Sequence, residues 1–222
     1  AVLRNQHDLV IKPAENPEFL ERLFGSDDMH LMRKCPCPVW LTKPAEKSNY
    51  QRILAAVDFE PERPGSPERG PNEEILELAS SLAISDFAEL HLVHVWDAPG
   101  ETLLRSWSDN PDQAVLQYEE AERSAHQLGM NAIQHRLRER LGREAYEYLS
   151  PRYHLIQGAA RQVIPQTAQR VGADLVVMGT LARTGVAGFF IGNTAETILE
   201  QLQCSVLAIK PPGFVSPVTL AG

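Results

Sequence analysis

The sequence predicts an α/β protein built on an open, parallel, doubly wound sheet. Three observations carry that prediction. From residue 50 onward, short apolar runs alternate with amphipathic runs. A segment with four glycines, GTLARTGVAGFFIGNTAE at residues 179–196, lies between an apolar run, DLVVMGT, and an amphipathic run, AETILEQL. The chain also repeats part of its own pattern, as described below.

In order, RILAAVD (52–58) reads as a strand, and residues 72–83 read as a helix with Ile75, Leu76, Leu78, Ala79 and Leu82 at helical spacing. ELHLVHVW (89–96) is rich in strand formers. After a loop containing Pro and Gly, a helix is expected from Asp112 to about Gly142, with Tyr118, Ala121, Ala125, Leu128 and Ala132 on one face. Residues 152–157, 174–180 and 205–210 read as strands, and 160–171 and 193–203 as helices. Strand and helix in alternation imply a parallel sheet.

Residues 1–44 echo the end of this unit. Phe24–Pro44 aligns without a gap on Ile191–Pro211, with Gly25/Gly192, Cys37/Cys204, Val39/Val206, Lys43/Lys210 and Pro44/Pro211 identical. Asp8-Leu9-Val10 recurs as Asp174-Leu175-Val176 at an offset one residue shorter. The expected organisation is a partial unit at 1–44, a linker at 45–50, a complete unit at 51–212 and a tail at 213–222. A partial unit would expose Leu9, Val10, Ile11, Leu31 and Trp40, so it is expected to pack on its own chain's complete unit or on another chain.

At 222 residues, with 43% hydrophobic and 23% charged residues, the composition is that of a folded globular protein. A net charge of −8, with no basic run longer than Arg33-Lys34, argues against a nucleic-acid surface. No apolar stretch of about 18 residues is present to cross a bilayer. The first residues, AVLRNQHDLV, do not read as a leader, and a cytoplasmic location is expected. Three cysteines form no disulfide framework, and Cys35-Pro-Cys37 lacks further residues at ligand spacing, so the pair reads as thiols without a metal.

Taken together, RILAAVDF, ELHLVHVW, IQGAARQVIP, DLVVMGT, the glycine segment running into AETILEQLQCSVLAIKPP, and the earlier string ending RKCPCPVW resemble the universal stress protein family, closest to its tandem-domain members. The resemblance spans about residues 50–212 as a whole domain and 1–44 as a partial one. It implies a five-stranded parallel sheet of the adenine nucleotide alpha hydrolase-like type, strand order 3-2-1-4-5. It also implies a homo-dimer or pseudo-dimer formed by last strands, here Val39–Thr42 and Val206–Ile209.

Family members that bind ATP carry Gly-x-x-Gly, nine residues, then Gly-Ser or Gly-Thr. Gly179 matches the first glycine, Ala182 stands at the second, and Gly192 follows residues 183–191 but precedes Asn193. Two of the four motif positions are therefore altered. A glycine loop leading into a helix binds phosphate because unpaired N–H groups and the positive helix end point the same way. Asn193 with Glu196 also resembles an N-cap and capping box, which needs no ligand. Arg183 either pairs with an anion or solvates the loop. Asp58 either resembles the family acid that contacts adenine or caps its own turn. With Met178 and Thr194, these residues form the candidate site for ATP or AMP. Gly25-Ser26 has no Gly-x-x-Gly before it, and Asp27 and Asp28 would repel a phosphate.

His91 and His94, three apart on a strand, face opposite sides and do not share a metal. The sequence has no nucleophile elbow and no Walker lysine. The expected function is a non-enzymatic stress-response or regulatory protein acting through dimerisation, with small-ligand binding left open. The alternative is an ATP/AMP-binding switch that uses the altered loop.

Overall fold

A computed structural model describes residues 2–14, 26–43, 49–59, 71–180, 191–211 and 213–218. In chain order the elements are α1 (Val2–Asn5), β1 (Val10–Pro13), α2 (Ser26–Lys34), β2 (Val39–Thr42), β3 (Arg52–Ala56), α3 (Pro71–Asp86), β4 (Glu89–Trp96), α4 (Glu101–Trp107), α5 (Pro111–Leu149), β5 (Arg152–Gln157), α6 (Ala160–Val171), β6 (Leu175–Gly179), α7 (Asn193–Gln201) and β7 (Ser205–Ile209).

Seven strands form one sheet in the order β1-β2-β7-β6-β3-β4-β5. Numbered from β3, the last five give the order 3-2-1-4-5, and every pairing among them is parallel. β2 runs antiparallel to β7, with Val39 opposite Ala208, Trp40 opposite Leu207 and Leu41 opposite Val206. β1 then adds in parallel to β2 and forms one edge of the sheet.

β3, β6 and β7 are apolar almost throughout because helices cover both faces, as parallel sheets require. The side chains alternate between two cores. Leu54, Ala56, Val176, Met178, Val206 and Ala208 pack with Met32, Ile164, Ile198 and Leu199 from α2, α6 and α7. Ile53, Ala55, Leu175, Val177, Leu207 and Ile209 pack with Ile75, Leu76, Ala79, Ile133 and Leu137 from α3 and α5.

The helical run from Pro111 breaks at Gly142, where it was expected to end: that residue takes φ 74° and ψ 168°, and a second helical stretch continues to Leu149. One sequence expectation fails here, because the expected face is not the buried one. Val115, His126, Met130, Ile133 and Leu137 are buried, whereas Leu128 is 70% exposed. The true stripe recurs at 126, 130, 133 and 137, and it contains a histidine that an apolar pattern passes over. The loop before this helix also holds a short helix, α4.

The N-terminal β-α-β segment is tied to the rest by specific contacts. Trp40 is half-buried, stacks on Tyr50 at a centroid distance of 5.8 Å, and donates its indole N–H to the Tyr50 hydroxyl at 3.1 Å. The Lys43 amide donates to Ser205 Oγ at 3.0 Å, and Lys43 Nζ donates to the Gln203 carbonyl at 2.9 Å. Arg33 of α2 pairs with Glu196 of α7. Asp28 is buried and pairs with Lys12 of β1. Of the apolar residues expected to be exposed, Leu9 and Ile11 remain so, while Val10 and Leu31 pack against the core. Among the described residues, no helix is long and apolar enough to cross a membrane.

Candidate functional site

β3 is the pivot of the sheet. The chain leaves it toward β4 and β5, then crosses back to lay β6 and β7 on its other side. Ligands of open α/β folds bind outside the carboxyl ends of the strands at such a reversal. Ala56 and Met178 are the last residues paired between β3 and β6. Asp58 follows β3, Gly179 ends β6, and the buried Met178 lies beneath.

The glycine segment is pinned at both ends. The Gly192 amide donates to the Thr180 carbonyl at 2.9 Å, which brings Gly192, Asn193 and Thr194 back to the end of β6. Ala182 and Arg183 lie outside the described residues. Thr180 is fully buried; its amide and its hydroxyl both donate to the Ile209 carbonyl, at 3.1 Å and 3.2 Å. The same hydroxyl accepts from Lys210 Nζ at 3.2 Å. Lys210 also donates to the Met32 carbonyl and lies 5.0 Å from the Phe214 ring centre. Burial lowers its pKa to about 8.

The start of α7 differs from the expectation. Gly192, at φ −62° and ψ 142°, is the N-cap, and Asn193 is already the first helical residue. The capping-box reading of Asn193 is therefore corrected. Its side chain sits one position too late to cap, its carbonyl accepts from Thr197 Oγ1 at 2.9 Å, and Glu196 turns to Arg33 instead. Gly192 has no side chain with which to cap. The first-turn amides of Asn193, Thr194 and Ala195 therefore lie beyond the reach of the helix's own ladder.

Sequence reading missed Asn72. In the first turn of α3, its Oδ1 accepts from the Asp58 amide at 3.0 Å and its Nδ2 donates to the Asp58 carbonyl at 2.6 Å. The backbone at Asp58 is held by this amide fork. An Asn directly after Pro71 at a helix start was the available signal. A Cβ built on Gly179 would meet Pro71 at 3.6 Å, an ordinary contact, so packing with the described residues does not require glycine there.

His91 and His94 point to opposite faces of β4, and each meets a second histidine. His94 Nδ1 lies 3.2 Å from the Val57 carbonyl, and its Nε2 lies 2.8 Å from His126 Nδ1. Since the carbonyl only accepts, His94 donates from Nδ1, and in its neutral form it accepts from His126 at Nε2. Phe59 stacks on His94 at 3.8 Å, and Gly129 of α5 makes room for it: a Cβ there would lie 2.2 Å from the ring. On the other face, His91 Nδ1 is 2.9 Å from His154 Nε2 and the rings are nearly parallel. Burial lowers the pKa of both His91 and His154. Among the described residues, no group of three or more His, Cys, Asp or Glu could hold a metal.

A five-stranded parallel unit in 3-2-1-4-5 order, with a glycine segment and a helix start at its switch point, defines an α/β protein of the adenine nucleotide alpha hydrolase-like class. The model of the universal stress protein family matches residues 49–210, and the chain belongs to that family. It is 34% identical over 221 residues to universal stress protein E of Escherichia coli K12, a match covering 99% of this chain and 66% of that protein. Among solved structures it resembles a functionally unknown protein from Pseudomonas aeruginosa PAO1, with TM-score 0.69 and 30% identity over 95% of this chain and 65% of that one. Universal stress protein UspA from Lactobacillus plantarum, at 18% identity and TM-score 0.53, shares the fold. The chain thus spans just under two thirds of the length of these longer relatives.

Proposed function

We propose that the chain is a non-enzymatic regulatory protein that holds an adenine nucleotide, ATP or AMP, in the crevice between Asp58 and Gly192, and that acts through association rather than turnover. The observation that carries this is the start of α7, where a glycine N-cap leaves first-turn amides pointed toward the switch point. In this proposal the amides of Asn193 and Thr194 hold phosphate, Gly179 allows its close approach, and Asp58 meets the base. Met178 forms the floor, and Ala182 and Arg183, outside the described residues, are further candidates for contact with the nucleotide. Native mass spectrometry of the purified chain, after incubation with ATP and Mg²⁺, is expected to show one added nucleotide. ATP incubated with the chain should release phosphate no faster than in buffer. An unshifted mass would overturn the binding, and release that Asp58→Ala abolishes would overturn the absence of turnover.

The antiparallel pairing of β2 with β7 supports a second component. We propose that residues 1–44 are the end of a first domain of the same fold, joined by 45–50 to the domain at 51–212, with 213–222 as a tail. The Val39–Thr42 and Val206–Ile209 pairing is then a pseudo-dimer within one chain, in place of a homo-dimer, in a cytoplasmic protein that binds neither nucleic acid nor membrane. Sedimentation of the chain as a monomer at micromolar concentration would agree with this; a stable dimer would count against it.

A further inference from the structure

The turn between α2 and β2 carries chemistry that nucleotide binding does not use. Cys35 and Cys37 are both buried, and their sulfurs are 3.4 Å apart. The Cys35 amide still donates to the Leu31 carbonyl at 2.9 Å, one turn back, and Pro36 then ends the helical pattern. Pro36 and Pro38 restrict the backbone on both sides of Cys37, which holds the two sulfurs in contact. A disulfide needs them at about 2.05 Å.

The fold itself does not call for two thiols here. In the internal repeat, the position of Cys37 is taken by Cys204 and that of Cys35 by Leu202, which is buried in the same core. The equivalent turn after α7 therefore packs with a single sulfur. What the pair adds is a second sulfur at contact distance.

We propose that Cys35 and Cys37 are a redox pair, oxidised to an intramolecular disulfide by a small neutral peroxide. One thiol gives up its proton, and the resulting thiolate attacks a peroxide oxygen. The O–O bond breaks, leaving a sulfenic acid and, once protonated, water from hydrogen peroxide. The second thiolate then displaces hydroxide from the sulfenic sulfur and forms the S–S bond. In sum, two thiols and one hydrogen peroxide give one disulfide and two waters, with two electrons passing from sulfur to oxygen. Burial, followed by the neighbouring Cys35, pushes the Cys37 thiol up to about 12, so the reaction is slow and confined to an oxidant small enough to enter. The turn adjoins the Lys34 carbonyl, which accepts from Ser216 Oγ at 2.7 Å, and the Met32 carbonyl, which accepts from Lys210. Oxidation thus acts where α2 meets the C-terminal segment.

The test treats the full chain with millimolar hydrogen peroxide, quenches with catalase, unfolds it in an alkylating agent and maps the peptides by mass. The expected result is loss of two hydrogens on the peptide containing residues 35 and 37, with only Cys204 alkylated and all three thiols recovered after reduction. Cys37→Ser should remove the loss of two hydrogens and leave Cys35 either alkylated or carrying a single oxygen. Cys204→Ser should change neither and serves as the folded control. Alkylation of both Cys35 and Cys37 after peroxide, two-oxygen adducts on either, or a disulfide to Cys204 would each overturn the proposal.

Discussion

The Gly192 amide donates to the Thr180 carbonyl at 2.9 Å, so the residues that flank 181–190 on either side meet at one point. That closure places the start of α7 against the end of β6, where the strand order reverses. Thr180 is itself anchored to Ile209 and Lys210. The proposed phosphate position therefore rests on the last strand as well as on the loop.

Gly179→Ala separates ligand approach from folding. The added methyl lies at ordinary contact distance from Pro71, so stability is expected to change by less than about 1 kcal/mol. Affinity for ATP is expected to fall by about tenfold or more, as about 1.4 kcal/mol of lost approach implies. Thermal melting and titration of the same sample check both halves.

Gly129→Ala should destabilise the protein although alanine is the better helix former. The helical gain is about 1 kcal/mol, but the methyl would lie 2.2 Å from Phe59, whose ring is held against His94. Overpacking of this kind costs about 1–3 kcal/mol. Urea unfolding should show the loss, and in a Phe59→Ala background the same substitution should become neutral or favourable.

His91 and His154 make stability fall in mild acid. Burial lowers both pKa values below the ordinary histidine value, so the unfolded chain binds more protons once pH drops below about 6.5. Their contribution is complete above that pH and is lost as pH falls from there toward the folded values. Urea midpoints at pH 7.5 and 5.5 should differ in that sense, and by less in His154→Gln.

Lys210 predicts the opposite end of the scale. With its pKa lowered to about 8, the unfolded chain binds the extra proton between about pH 8 and 10.5, so this residue makes stability rise with pH through that window. The expected gain is on the order of 3 kcal/mol. Lys210→Met should remove that rise relative to wild type, measured by unfolding at pH 7.5 and 9.5.

The sheet was legible in the sequence because β3, β6 and β7 are covered on both faces and read as unbroken apolar runs. The internal repeat marked Val39–Thr42 as the equivalent of Val206–Ile209, and the resemblance to the family implied that such last strands pair. The buried face of α5 differs from the expected one because its stripe includes His126, whereas the break at Gly142 falls where the helix was expected to end. At the site, Gly179, Gly192 and Asp58 were expected from the resemblance to the family, through its glycine motif and its acid after the first strand. The residues that fix them were not: Thr180, Lys210 and Asn72 act through contacts between distant elements. Asn193 was assigned one position too early because a cap and a first helical residue differ only in backbone angles.

The most direct test of nucleotide binding at the switch point is calorimetric titration of the folded chain with ATP and Mg²⁺. The account predicts a saturable heat at one site, reduced in Gly179→Ala and Asp58→Ala. No heat at millimolar ATP from protein that melts cooperatively would contradict it.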